Sequence, residues 1–259
     1  MIDIIGGNGF VGSAIVRACV RRGLKHQILA HDTIDQFTGT SCDLLINANG
    51  NSRKFMAERE PLWEFDASVR SVRESLANIH EAKYVHLSSC DVYPDCSRPE
   101  TTLESQVLDV TKQSAYGFHK YLAEQCVMRH APKWLIFRMG GFVGPGLKKN
   151  AIYDILHGGP LWLNPESALQ FINVDVAAGI ILDLALSTVE SEVYNLCGSG
   201  VIALSKVLTA VSGEVECKPD AQAVRYEVST EKLRTIVDIP STRDAVLAYV
   251  KEHLEHGEA

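Results

Sequence analysis

The sequence predicts an α/β fold: a doubly wound, mostly parallel sheet with a small C-terminal lobe. Two patterns lead there. Short apolar runs alternate with stretches of helical periodicity along most of the 259 residues, the order that covers both faces of a parallel sheet with helices. The chain also opens on a strand, a glycine-rich turn and a helix. Apolar Ile2–Ile5 runs into Gly6, Gly9 and Gly12, and from Ser13 to Arg22 the residues Ala14, Ile15, Ala18 and Cys19 share one helical face.

The remaining elements follow in order. Gly23 is placed to end the first helix, and Lys25 to Ala30 reads as the second strand. Cys42 to Ala48 is the third, ending in Asn47-Ala48-Asn49-Gly50-Asn51. The link between these two strands is too short for a further strand–helix unit, so the sheet is expected to be one unit smaller than usual. Pro61 to His80 reads as one long helix with Trp63, Phe65, Val69, Val72 and Leu76 on its apolar side. Tyr84 to Ser88 is a strand, followed by Ser89-Cys90-Asp91-Val92-Tyr93-Pro94. Residues 95–113 form a polar loop, 114–130 a helix, 134–139 a strand, and Gly140 to Gly146 a loop. Beyond it come a short helix at 150–157, a strand at 168–174, a helix at 175–186 and a strand at 193–197. Ser205 and Thr230 are placed to cap two short helices, and Ser241 or Thr242 begins the last. Residues 1–146 with about 168–200 are assigned to the sheet domain, and 147–167 with about 201–259 to the lobe.

Bulk properties narrow the function. An apolar content of 46% permits a sizeable core, and a net charge of -7 argues against nucleic acid as the main partner. Seven scattered cysteines without metal-type spacing indicate reduced thiols and no metal site. No signal-peptide pattern or membrane-length apolar run stands out, so a cytoplasmic protein is expected, with a fraying tail at 253–259.

The glycine turn carries the first functional reading. Its first glycine permits the tight turn, its second lets the backbone approach a pyrophosphate, and its third lets helix and strand pack closely. The helix start at Phe10 and Val11 then faces phosphates with its positive dipole end. Asp32, about 20 residues on, is either the residue that holds an adenosine ribose through its 2′-OH, favouring NAD over NADP, or a solvated loop carboxylate. Small residues at Ala48, Asn49 and Gly50 leave room at a strand end for the same ligand.

Tyr116 and Lys120 are spaced i, i+4 on one helix face. A lysine ammonium near a phenol lowers its pKa, and such a tyrosine exchanges a proton with an alcohol or carbonyl. Ser89, ending a strand, is placed to hydrogen-bond the same oxygen. His86 reads as a packed strand residue, and His119 receives no role.

Taken together, these segments resemble the extended short-chain dehydrogenase/reductase group, the NAD-dependent epimerase/dehydratase family. Gly6-Gly-Asn-Gly-Phe-Val-Gly12 resembles its cofactor turn, Leu87-Ser88-Ser89 through Val92-Tyr93 its Ser-Ser-x-x-Val-Tyr strand end, and Tyr116-Gly-Phe-His-Lys120 its Tyr-x-x-x-Lys helix. Arg138 through Gly144-Pro145-Gly146, Phe171 through Ala177 and Val193 through Ser199 resemble further family segments, in family order. The resemblance implies a Rossmann-type fold with a C-terminal substrate lobe, and NAD as cofactor. It also implies Ser88 and Met139 at the cofactor, Tyr116 as acid/base, Lys120 as its partner and ribose ligand, and Ser89 as the carbonyl-polarising hydroxyl. The implied substrate is a nucleotide-activated sugar, epimerised or dehydrated, and a homodimer packed through the 61–80 and Tyr116 helices. A net reductase of a keto-sugar and a non-catalytic nucleotide binder are the alternatives.

The departures are specific. Gly141 stands where asparagine is usual, and Leu169 where arginine often grips the diphosphate; Lys148 and Lys149 either supply that charge or are a solvated loop pair. Dehydratase relatives follow the serine or threonine with an acid and a base. Here these positions are Cys90, a poor match to the acid, and Asp91, either the base or a cap for the next turn.

Overall fold

A computed structural model describes residues 1–30, 34–211 and 215–256. It divides into two compact units: Met1–Pro94, Val107–Met139 and Ala178–Tyr194 in the first, and Asp95–Gln106, Gly140–Ala177 and Asn195–Ala259 in the second. The 140–146 loop, placed with the sheet from sequence, belongs to the second unit.

The first unit is built on a six-stranded sheet. In chain order its strands are β1 (Ile2–Ile5), β2 (His26–Leu29), β3 (Ser41–Asn47), β4 (His80–Ser89) and β5 (Trp134–Met139). After three short strands of the second unit comes β9 (Glu192–Leu196), and the spatial order is β2-β1-β3-β4-β5-β9. The pairs β1–β2, β1–β3, β3–β4 and β4–β5 are all parallel. This is a Rossmann-like sheet in which β3 lies directly beside β1, the shortened arrangement that the brief 30–41 link dictates. The switch of strand order falls between β1 and β3, and a doubly wound sheet binds ligands at the carboxyl ends there.

Helix α1 (Phe10–Arg21) buries Ala14, Ile15, Ala18 and Cys19, the face read from the sequence. On β3 and β4 near-continuous apolar burial reflects cover on both faces. Leu45, Tyr84, Val127 and Ile136 lie in one core with Val72 and Ile79, each large side chain contributing about 1.5–3 kcal/mol by leaving water. Strand β4 starts at His80 rather than Tyr84: its first residues pair with β3 although they are polar.

The expected single helix at 61–80 is interrupted. After α2 (Met56–Arg59), helix α3 (Pro61–Phe65) passes through a π turn, Asp66–Arg70, into α4 (Ser71–Asn78). Helix α5 (Ala115–His130) starts at Ser114, whose hydroxyl accepts from the Gly117 N–H at 3.0 Å.

In the second unit β6 (Gly141–Val143) pairs with β8 (Phe171–Asn173), and β7 (Ala168–Leu169) with β10 (Ile202–Ala203). Helices α6 (Ala151–Leu156), α8 (Leu204–Val211) and α10 (Thr242–His256) share a core with them that includes Val143, Ile152, Phe171, Val207 and Val246. Helix α7 (Val174–Leu186) has residues in both units, and α9 (Glu231–Arg234) is short. Thr230 stands at the start of α9 but its side chain makes no capping bond, and α8 begins at Leu204, ahead of Ser205. Among the described residues no helix is long and apolar enough to cross a membrane.

Candidate active site

The β1–α1 turn packs backbone on backbone. Gly6 has φ +74°, and its carbonyl accepts from the Gly9 N–H at 2.9 Å. A Cβ on Gly12 would stand 2.1 Å from the Gly6 oxygen, so only glycine lets α1 descend onto the turn. One on Gly6 would meet the Asn49 nitrogen at 2.8 Å, which places the 48–49 segment against the same turn. That segment is held by Asn47, whose side-chain oxygen accepts from the Asn49 N–H at 3.0 Å while its amide donates to the buried Tyr84 hydroxyl at 2.8 Å. Among the described residues no side chain caps α1 at Gly9, and its first turn, with Phe10 and Val11, has no acid. A helix start without a resident acid, over a cradle that any Cβ would fill, suits a pyrophosphate. Asp32 lies outside the described residues.

Beside this turn the carboxyl ends of β3 and β4 meet the start of α5. Tyr116, 7% exposed, donates its hydroxyl to the Asn51 carbonyl at 3.0 Å. The buried Lys120 ammonium lies 5.6 Å from the Tyr116 ring centre and passes against Gly50, where a Cβ would come within 2.5 Å of it. Ser89 donates to Asp91 Oδ2 at 2.8 Å. Asp91 also takes Lys54, from the segment before α2, with Nζ 2.8 Å from Oδ1 and 2.7 Å from Oδ2. The Gly117 backbone brings α5 onto this group: a Cβ there would lie 2.0 Å from the Asp91 carbonyl. Ser89 and Asp91 are also reciprocal, because the Asp91 N–H donates to the Ser89 hydroxyl at 3.2 Å, beginning the 3-10 turn Cys90–Val92.

The electrostatics differ from the simple reading of the Tyr–Lys spacing. Burial raises the Tyr116 pKa, the charges of Asp91 and Glu64 raise it further, and only the hydrogen bond with Ser89 opposes them. The phenol therefore keeps its proton. Burial lowers the Lys120 pKa, while Glu64, Asp91 and Glu124 favour its charge.

Residues 2–197 match the model of the NAD dependent epimerase/dehydratase family. The chain belongs to that family. No curated protein matches its sequence. Among solved structures the chain is similar to UDP-glucose 4-epimerase from Thermotoga maritima at 14% identity, covering 98% of each chain with a TM-score of 0.76. It is also similar to dTDP-glucose 4,6-dehydratase from Bacillus anthracis at 16% identity, covering 99% of this chain and 97% of that one with a TM-score of 0.77. A third is dTDP-4-dehydrorhamnose reductase, also from Bacillus anthracis, at 16% identity, 97% of each chain and a TM-score of 0.79. At these identities the likeness is one of fold. The cofactor of the NAD dependent epimerase/dehydratase family is NAD, and the glycine turn with Ala48, Asn49, Gly50 and Lys120 is the part of this member that suits it.

The structure also places the other expected site residues of this family member. The Ser88 hydroxyl donates to Glu124 Oε1 at 2.6 Å and so serves the buried Glu124–Arg138 pair. The Cys90 thiol is fully buried and donates to the Arg138 carbonyl at 3.1 Å, toward the backbone of β5. Met139 ends β5 in register with Ser89. Gly141, Lys148 and Lys149 belong to the second unit. Gly141 has no room for the asparagine usual there, because a Cβ would meet the Phe171 ring at 2.6 Å. Lys148 and Lys149 are exposed.

Two features escaped the sequence reading. Lys54 gave no signal, lying in a polar stretch 37 residues from Asp91. Glu64 is fully buried and hydrogen-bonds His119 Nδ1 and the Ser68 hydroxyl. A carboxylate between Trp63 and Phe65 on an apolar helix face was the available signal. His86 is the packed strand residue expected: it is buried on β4 with neither ring nitrogen partnered among the described residues, and burial, aided by Lys120, holds its pKa down at about 3.

Proposed function

We propose that this chain is an NAD-dependent enzyme that epimerises or dehydrates a nucleotide-activated sugar, with Tyr116 moving the proton at the carbinol oxygen. The observation that supports it is the convergence of Ser89, Asp91, Tyr116 and Lys120 beside a turn suited to a pyrophosphate. NAD bound there would supply a hydride acceptor and donor at the carbinol carbon. Tyr116 holds the phenolic proton, Ser89 is placed to polarise the substrate oxygen, and Lys120 approaches Gly50 where a ribose would lie. The substrate oxygen replaces the Asn51 carbonyl as the phenol's partner.

Keto-sugar reduction is the second reading. It is favoured by the phenol being held in its protonated form, ready to donate to a carbonyl. The proposed partner chain is a second copy, because Leu62, Trp63 and Phe65 on α3 expose apolar surface at the expected dimer helix.

Denaturing freshly purified protein and identifying the released nucleotide by chromatography tests the assignment. NAD at near one per chain, with turnover of UDP- or dTDP-hexoses, is expected for hydride recycling. Empty protein that consumes added NADH or NADPH with keto-sugars favours the reductase. Protein that neither releases nor binds either dinucleotide overturns both.

A further inference from the structure

Elimination of water beside a ketone needs a base for the C–H proton and an acid for the departing hydroxyl. Asp91 is placed as the base. Its neighbour Cys90 is not placed as the acid, because its thiol is buried and donates to the Arg138 carbonyl. A different cation stands at the carboxylate. Lys54 Nζ is 2.7 Å from Oδ2 and 2.8 Å from Oδ1, and Ser89, 2.8 Å from the same Oδ2, joins this pair to the Tyr116 group. The Lys54 side chain is 60% exposed and that of Asp91 17%, so the ammonium stands on the solvent side of the carboxylate. The backbone ahead of Lys54 is fixed: Asn51 Oδ1 accepts from the Arg53 N–H at 2.7 Å, and its amide donates to the Arg53 carbonyl at 2.9 Å. An ammonium carries three donor protons and needs no metal or cofactor to act as an acid.

We propose that Lys54 is the acid, and Asp91 the base, of a syn elimination of water from a nucleotide-linked ketohexose. The proposal rests on the nucleotide-sugar reading above. Asp91 takes the proton from the carbon beside the ketone. The C–H electron pair becomes the new C=C bond. The C–O bond to the hydroxyl breaks with its electrons on oxygen, and Lys54 gives that oxygen a proton, so water departs. Asp91 is then protonated and Lys54 neutral. One proton crossing their 2.7 Å contact restores both without a solvent proton. Two groups within hydrogen-bond distance of one another address one face of a sugar. That suits syn elimination and not inversion of a carbon, which needs groups on opposite faces.

The test incubates the enzyme with NAD and UDP-glucose or dTDP-glucose in D2O. Loss of water is read by mass, and deuterium by NMR of the recovered starting sugar. In Lys54→Gln, water loss is expected to fall by at least ~100-fold while recovered sugar still gains deuterium, because Asp91 remains. Lys54→Arg is expected to behave alike, since a guanidinium pairs with a carboxylate but does not release a proton. Normal water loss in either variant overturns the proposal; in Lys54→Arg alone it would show that Lys54 only positions Asp91. Loss of deuterium uptake in both variants also overturns it. A wild-type enzyme that neither eliminates water nor takes up deuterium overturns the Lys54 assignment alone if it still epimerises the sugar; if it leaves the sugar unchanged at every carbon, the nucleotide-sugar reading falls with it.

Discussion

Replacing Glu124 with glutamine isolates a fully buried ion pair of the sheet unit. Arg138 is 3% exposed and Glu124 0%. The guanidinium gives the carboxylate Nε contacts at 3.1 and 3.3 Å and an Nη2 contact at 2.7 Å, and Ser88 adds a fourth hydrogen bond at 2.6 Å. Burial opposes the arginine charge, yet Glu124 and Tyr93 more than compensate and hold its pKa above the usual value. Glutamine keeps the volume but removes the countercharge and turns an NH2 donor toward other donors. Breaking a buried pair from one side costs about 3–5 kcal/mol, a large fraction of an ordinary stability of about 5–15 kcal/mol. With a urea slope of about 3 kcal/mol per molar, the unfolding midpoint should fall by roughly 1–1.7 M. Tryptophan fluorescence and circular dichroism, followed together through urea, read it. A fall below about 0.3 M at unchanged slope would refute the reasoning. Pairing Glu124→Met with Arg138→Met should recover part of the loss, since no lone charge remains.

Tyr116→Phe should lower turnover by about 100- to 10,000-fold while leaving dinucleotide affinity nearly unchanged; full activity, assayed by sugar product, would remove the proton role. Gly12→Ala puts a methyl 2.1 Å from the Gly6 oxygen. It should cost about 1–3 kcal/mol and weaken NADH binding at least ~10-fold in a fluorescence titration, and unaltered binding would refute the cradle. Burial raises the Glu81 pKa from 4.5 to about 7. The folded state therefore binds this proton more tightly than the unfolded chain, and stability falls as pH rises from 4.5 through about 7. Glu81→Gln should then stabilise the protein by about 1–2 kcal/mol at about pH 8 and by almost nothing at about pH 4. Melting curves with no such difference would refute it.

Local chemistry was legible wherever one element determined it. The glycine turn, the face of α1 and the Tyr116–Lys120 spacing depend on neighbours within a helix turn, and the sequence prints those. The short 30–41 link likewise showed that the sheet would be one unit smaller, and the structure adds that β3 then lies beside β1. Long-range aim was not legible. Ser88 and Ser89 are adjacent, but alternate faces of a strand send one hydroxyl to Glu124 and the other to Asp91. Cys90 turned to the Arg138 carbonyl and Lys54 to Asp91 through contacts across 48 and 37 residues. The π turn was hidden because Val69, Val72 and Leu76 continue an apolar spacing that a regular helix would also show. The lowering of the phenol's pKa expected from Lys120 is outweighed by burial, Asp91 and Glu64, and burial belongs to the fold rather than to a motif.

That π turn also sets an angular phase. One surplus residue in a helix rotates everything before it by about 100° relative to everything after. With Asp66–Arg70 in place, Glu64 is aimed inward at His119 while Leu62, 81% exposed, is aimed outward. Deleting one residue from the turn would carry Glu64 off His119 and swing Leu62 away from its outward bearing in the same movement. The interior acid and the outer apolar face are thus geared through a single insertion, and a lineage that lost it would have to re-site both at once.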